Sequence, residues 1–258
     1  MHRVEIDPRG VARLTLARPE VHNAFNDALI ADLILSLETL GADAAVRAVV
    51  LAAEGKSFSA GADLNWMKAM AGYSEAENVA DAQKLSRLLW TLDRLPKPTI
   101  ARVQGAALGG GVGLAACCDI VVASRNASFT LSEVKLGLIP ATIGPYVVAA
   151  IGQRASRRYF LTAERIAADE AQRLGLVHRL VDAEGLDAAV EELLTALLAN
   201  GPAAVAAAKD LIFALASRPV DPAIMEDTAR RIAVRRASAE GREGIASFFE
   251  KRKPDWQR

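Results

Sequence analysis

Two small-residue loops and one carboxylate are the groups in this sequence whose types and spacing fit chemistry. The first loop is Ala107-Leu-Gly-Gly-Gly111, within a stretch from Gly105 to Asp119 that places Gly109, Gly110, Gly111 and Gly113 ahead of an apolar helix-like run. A glycine run at a helix start leaves backbone N–H groups uncrowded, and such a start favours negative charge. The second loop, Ser59-Ala-Gly-Ala-Asp63, also follows a strand-like run. Two N–H donors, one from each loop, could stabilise an enolate oxygen. Glu133 lies among Leu131, Val134, Leu136, Leu138 and Ile139. Apolar surroundings raise a carboxyl pKa and suit it to moving protons at carbon. The competing reading of Glu133 is a salt bridge to Lys135 or to an arginine.

The elements that must hold these groups follow from periodicity. Val4 to Ile6 and Val11 to Leu16 alternate about Asp7-Pro8-Arg9-Gly10 and predict a hairpin. Asn26 caps a predicted helix whose apolar face is Leu29, Ile30, Leu33, Ile34, Leu37 and Leu40 and which ends at Gly41. Val46 to Ala52 predicts a strand buried on both faces. A short helical piece is expected over 66–71 and a long helix from Val79 to Leu95, with 72–78 the weakest stretch and expected to be mobile. Strand 98–103, the glycine helix and strand 119–124 then give a β-α-β order, which favours a parallel sheet with crossover helices. Helical pieces around 145–151, 154–161 and 167–174 lead to a strand over 176–181. Residues 1–183 therefore form an α/β core, and 184–258 a helical C-terminal region of four helices. A tail so rich in leucine and alanine must pack on its own core or on a neighbouring subunit.

Composition excludes several classes. The chain has 258 residues, 52% of them hydrophobic, enough to bury a large core. Lys+Arg and Asp+Glu balance at 31 each, which gives no support to nucleic-acid or membrane-surface binding. Cys117 and Cys118 are the only cysteines and read as small buried residues, which suits a reducing, cytoplasmic setting. Neither a signal region nor an apolar run of membrane-spanning length is present. Gly111-Val-Gly113-Leu-Ala-Ala116 matches a relaxed dinucleotide-binding pattern, but no acid follows the second strand near Arg125, where the ribose would need one. His2, His22 and His178 lack ligand spacing, and no G-x-S-x-G is present, so metal and serine-hydrolase readings are weak. His22 is read as a solvated loop residue, with a place near a ligand as the alternative.

The motifs together resemble the crotonase, or enoyl-CoA hydratase/isomerase, superfamily over essentially the whole chain. They are Arg18-Pro…Asn23-Ala-Phe-Asn26, Phe58-Ser-Ala-Gly-Ala-Asp-Leu64, Gly105 to Gly111, Cys118-Asp-Ile120, Ser132 to Pro140, Ala171-x-x-Leu-Gly-Leu-Val177 and Glu243 to Arg252. The resemblance implies an α/β fold, a β-β-α superhelix with an α-helical C-terminal trimerisation region, hence a homotrimer or a hexamer. It implies an acyl-CoA substrate, no metal and no redox cofactor. Carried over by position, the oxyanion donors are the N–H groups of Ala62 and Gly110, with Glu133 as the acid/base. CoA contacts are implied at Ala24, Ala60, Asp63 and Leu64, and adenine-end contacts at Phe248 and Lys251.

One position departs from the hydratase pattern. Family hydratases carry a second glutamate two residues after the glycine triplet, where this chain has Gly113. Three readings follow from the resemblance: an isomerase using Glu133 alone, a hydratase whose water is held by other groups, or an acyl-CoA binding protein without catalysis. The segments around Gly113 and Glu133, with Pro145, resemble the branch of methylglutaconyl-CoA and carboxygeranoyl-CoA hydratases, which favours the second. Gly113 is then expected to leave room for water or for a substrate carboxylate, with Arg87, Arg154 or Lys135 facing the acyl end.

Overall fold

The computed structural model describes residues 1–257. The predicted hairpin forms: β1 (His2–Ile6) pairs antiparallel with β2 (Val11–Leu16), and Gly10 turns the chain at φ 82°. Asn26 caps α1 (Asp27–Ala42) by accepting from the Leu29 amide, and Leu29, Ile30, Leu33, Leu37 and Leu40 are buried. The capping carbonyl thus satisfies one of the four amides that a helix start leaves open.

The next three passes of the chain share one plan. β3 (Ala48–Ala53) is followed by β4 (Ser57–Ser59), then by α2 (Leu64–Met70) and α3 (Glu75–Asp93). β5 (Thr99–Val103) is followed by β6 (Ala106–Leu108) and α4 (Gly110–Cys117). β7 (Ile120–Ser124) is followed by β8 (Ser128–Thr130), a 3-10 turn at Glu133–Leu136 and α5 (Gly144–Thr162). α5 is broken at Gly152, φ 74°, which is why its sequence reads as two helical pieces. β9 (Ile166–Ala167), α6 (Ala168–Leu174) and β10 (Arg179–Val181) complete this part.

Each pass adds one strand to each of two sheets. The six-stranded sheet runs β1-β2-β3-β5-β7-β10 and the four-stranded sheet β4-β6-β8-β9. The sequence predicts one parallel sheet. The second goes unseen because β4, β6 and β8 are three residues each, too short for a two-residue period to register. Residues 72–78, expected to be mobile, are instead ordered as a helix start. Ser74 and Glu77 form a reciprocal capping box, and α3 begins at Glu75, four residues before the apolar pattern starts.

β3 is buried on both faces, and its side chains alternate between two clusters. Val49, Leu51 and Ala53 face a cluster that includes Leu33 and Leu37 of α1 and Leu88, Leu89 and Leu92 of α3. Ala48 and Val50 face a second cluster with Leu186, Ala189, Val190 and Leu194 of α7 (Leu186–Leu198). The 183/184 boundary therefore marks a change to all-helical chain, while packing on the sheet continues through α7.

α8 (Pro202–Leu215), α9 (Pro222–Ala237) and α10 (Ala239–Phe249) follow. No single helix among the described residues is long and apolar enough to cross a membrane. One half-buried ion pair ties α8 to the core. Lys209 Nζ lies 2.8 Å from Asp119 Oδ2, which also accepts from the Thr99 amide at 2.8 Å. Lys209→Met is expected to leave Asp119 short of one charge-assisted partner and to lower stability by about 1.5–3 kcal/mol, read by urea unfolding.

Candidate active site

Strand pairing in the small sheet brings the three chemical segments together. β4 pairs in parallel with β6 and β6 with β8, Leu108 opposite Thr130. Residues 60–63, 109–111 and 131–133 therefore leave the same end of three adjacent strands. In parallel sheets this C-terminal edge is where ligands bind.

The glycine corner is the point of convergence. A Cβ on Gly109 would lie 3.0 Å from Glu133 Oε1, and one on Gly110 2.5 Å from the Phe25 ring. A Cβ on Gly111 would lie 2.6 Å from the Ser59 carbonyl oxygen. Close approach from three directions excludes side chains here. Gly61 adds the fourth contact, since its Cβ would sit 3.6 Å from the Gly110 nitrogen at a φ of 80°.

Two amides remain open at this corner. Ala62 forms an isolated parallel bridge with Phe25, in which Phe25 N–H donates to the Gly61 carbonyl (2.7 Å) and Asp63 N–H to the Phe25 carbonyl (2.8 Å). Gly109 N–H donates to the Thr130 carbonyl at 2.9 Å. Among the described residues, the N–H groups of Ala62 and Gly110 reach no carbonyl. Ala62 and Gly110 are half-buried, whereas Gly61, Asp63, Gly109 and Gly111 around them are buried. Gly110 is also the first residue of α4, where the helix dipole favours an anion.

Glu133 faces the same corner with one carboxyl oxygen unpartnered. Its Oε2 is buried and reaches no hydrogen-bond donor, and among the described residues no ion pair to Lys135 or an arginine forms. Burial pushes the Glu133 carboxyl above the usual carboxylate range, opposed only by a hydrogen bond from its own backbone. Leu136, Leu138 and Ile139 are exposed and form an apolar lip on the following turn. A half-buried carboxylate with one oxygen that reaches no donor, beside two open amides on adjacent loops, can accept or donate a proton at carbon while charge collects on a carbonyl oxygen.

The remaining sequence-predicted residues divide. Ala60 N–H is tied to the His22 carbonyl, and Leu64 is 81% exposed beside the corner. Ala24 is buried, and its carbonyl accepts from Arg18 Nη1 at 2.7 Å. Asp63 is buried, caps α2 through the Asn65 amide and pairs with Arg18 at 3.1 Å. The Asn65 amide first, with Arg18 adding, holds the Asp63 carboxyl below the usual range. Its side chain thus serves the loop's geometry. Phe248 and Lys251 are exposed at the end of α10, which packs on α8 and α9. His22 is exposed, with Nδ1 3.0 Å from Ser57 Oγ. Both cysteines are buried free thiols, and burial raises the Cys118 thiol to about 12.

Gly113 requires a correction. A Cβ there would lie 2.3 Å from Ile143 Cγ2, 2.9 Å from Ile143 Cβ and 3.4 Å from Leu89 Cδ2. The expected room for water or substrate is filled by Ile143. Gly113 is a packing glycine, and only the neighbour in space, far along the chain, reveals it. Arg87 is engaged by Glu38 at 2.9 Å.

Asn23 is the functional residue whose role sequence reasoning did not identify, although its motif was visible. It is fully buried, at φ 55°, and its side chain accepts from the Arg18 amide and donates to the Glu54 and Ser57 carbonyls. Asn23→Ala removes all three bonds and places a residue with no side-chain polar group at a positive φ. A loss of about 1–3 kcal/mol is expected, read as a lower thermal midpoint.

Comparison with known proteins gives the family and the fold. The family model for enoyl-CoA hydratase/isomerase matches residues 7–258. The crystal structure of an enoyl-CoA hydratase from Shewanella pealeana superposes with a TM-score of 0.96 at 48% identity, covering 99% of this chain and 95% of that one. The 2,3-dehydroadipyl-CoA hydratase of Escherichia coli is 33% identical over 250 residues, 96% of this chain and 95% of its own. The crotonyl-CoA hydratase of Syntrophomonas wolfei is 34% identical over 248 residues, 95% and 94% of the two chains.

Proposed function

The chain belongs to the enoyl-CoA hydratase/isomerase family, and from that premise we propose that it is a hydro-lyase acting at the 2,3 double bond of a branched or carboxylated enoyl-CoA. The observation that carries the reading is the unpartnered Glu133 Oε2 beside the open amides of Ala62 and Gly110. The thioester carbonyl sits between the two amides, which stabilise the enolate oxygen that forms when water adds at C3. Glu133 passes the proton. CoA runs along the segment carrying Ala24 and Ala60 to Leu64, with Phe248 and Lys251 at its adenine end. No cofactor beyond the CoA of the substrate is needed.

Support for a carboxylated acyl chain comes from the sequence around Gly113 and Glu133 and from the similarity to a 2,3-dehydroadipyl-CoA hydratase. Lys135, exposed and two residues from Glu133 on the same 3-10 turn, is the nearest cation along the chain for such a carboxylate. Exposed Ile212, Met225, Phe248 and Phe249 on α8 to α10 support self-association as a trimer or hexamer.

One observation favours a second reading. Gly113 offers no second carboxylate, and its surroundings are Ile143 and Leu89. A single acid/base suits movement of a double bond between Δ3 and Δ2. Incubating straight, branched and carboxylated enoyl-CoAs in heavy-oxygen water separates the two. Label in the product means hydration; a shifted double bond without label means isomerisation and overturns the hydro-lyase reading.

A further inference from the structure

Phe25 is tied to both open amides. Its backbone brackets Ala62: Phe25 N–H donates to the Gly61 carbonyl at 2.7 Å, and Asp63 N–H donates to the Phe25 carbonyl at 2.8 Å. Its ring lies against Gly110, with Cε2 and Cδ2 2.5 and 3.1 Å from where a Gly110 Cβ would stand. The ring is 1% exposed and cannot swing away. The segment leading into it is fixed. Asn23 is bound to the Glu54 and Ser57 carbonyls, and Arg18 joins the Ala24 carbonyl to Asp63.

We propose that Phe25 is a positioning residue that sets the separation of the Ala62 and Gly110 N–H groups, its backbone fixing one and its ring the other. The inference rests on the two-donor reading above. Two donors stabilise one oxygen only if both lie within about 2.7–3.1 Å of it in the transition state. A displacement of about 1 Å at such a site costs roughly 10²-fold in rate. The ring edge acts as the spacer, and Gly110 must lack a side chain because the spacer occupies that place.

The test reads carbonyl polarisation directly. Butyryl-CoA carrying ¹³C at the thioester carbonyl is bound to the full-length protein, and its carbonyl stretch is followed by difference infrared spectroscopy. In the parent the stretch should move to lower wavenumber than in free butyryl-CoA. In Phe25→Leu, which keeps the backbone bridge but lacks the ring edge, the shift should shrink. Turnover of the best enoyl-CoA should fall about 10- to 100-fold in kcat with KM within about threefold. The acid limb of the pH profile, set by Glu133, should stay in place. Adding Gly110→Ala to Phe25→Leu places a methyl in the vacated space and should restore part of both the shift and kcat. Phe25→Met, which fills more of the ring's volume, takes the place of Phe25→Leu if that variant does not fold. An equal carbonyl shift and equal kcat in parent and variant overturn the role of Phe25 alone. No shift in the parent overturns the two-donor reading and this inference with it.

Discussion

Glu133→Gln is expected to lower turnover by about 10²- to 10⁴-fold and, at pH 7, to raise the melting temperature. The two effects have one origin. The carboxyl has a buried oxygen with no donor, and burial raises its pKa. A raised carboxyl pKa means that the native state holds its proton when the unfolded chain has released it. Between the unfolded and folded values the native state binds more protons, so stability falls as pH rises through that window. Above it the full cost of the buried charge is present, and an uncharged amide of similar shape removes it. The melting-temperature difference between parent and Glu133→Gln should therefore grow as pH rises from the ordinary glutamate value through the elevated one. It should vanish as pH falls below the ordinary glutamate value of about 4.3. In kinetics the ionised form is the base, so kcat/KM should rise with pH through the elevated pKa, and this limb should be absent in the variant. A melting temperature unchanged by the substitution at pH 7, with the acid limb retained, would place both the strain and the proton transfer elsewhere.

The parts legible in the sequence are those written in local pattern. The Asn26 cap, the doubly buried β3, the Gly152 break in α5 and the four C-terminal helices all follow from residue type and period. Glu133 was legible as a carboxylate among apolar residues, but its two readings could be separated only in three dimensions. Whether Lys135 or an arginine pairs with it depends on side-chain direction, and Lys135 points to solvent on a 3-10 turn. The small sheet was illegible because three-residue strands carry no period, yet its parallel pairing aligns the ends of segments 60–63, 109–111 and 131–133. Phe25 reads in sequence as one more apolar residue before a helix cap. Its contact with Gly110 spans a long stretch of chain, and no local signal marks it.

Gly113→Glu is expected to destroy the fold rather than to alter substrate choice. Ile143 is 1% exposed, and the nearest atoms to the new Cβ are its Cγ2 at 2.3 Å and its own Cβ at 2.9 Å. A Cβ stands next to the backbone, so the clash cannot be relieved by rotating a flexible tip. Even Gly113→Ala should overpack this site at a cost of about 1–3 kcal/mol. Glutamate adds a carboxylate with Leu89 and Ile143 beside it, and burying a polar group without a hydrogen bond adds at least about 1–3 kcal/mol more. Gly113→Glu should thus be poorly soluble or unfolded, with activity lost equally on straight and carboxylated enoyl-CoAs. Ile143→Ala alone should cost about 2–5 kcal/mol through the cavity it leaves. The double variant Gly113→Ala, Ile143→Ala should be more stable than the sum of the two predicts, with a coupling of about 0.5–3 kcal/mol in urea titrations. A folded Gly113→Glu that fails only on carboxylated substrates would reverse this conclusion. The packing also bears on the acid/base. Gly113 N–H donates to the Gly109 carbonyl at 3.3 Å, so the two glycines lie one turn apart, one meeting Ile143 and the other Glu133 Oε1. Ile143 thus packs one helical turn from the glycine that faces the carboxyl, and the glycine that removes a second carboxylate from this site is the same glycine that admits Ile143.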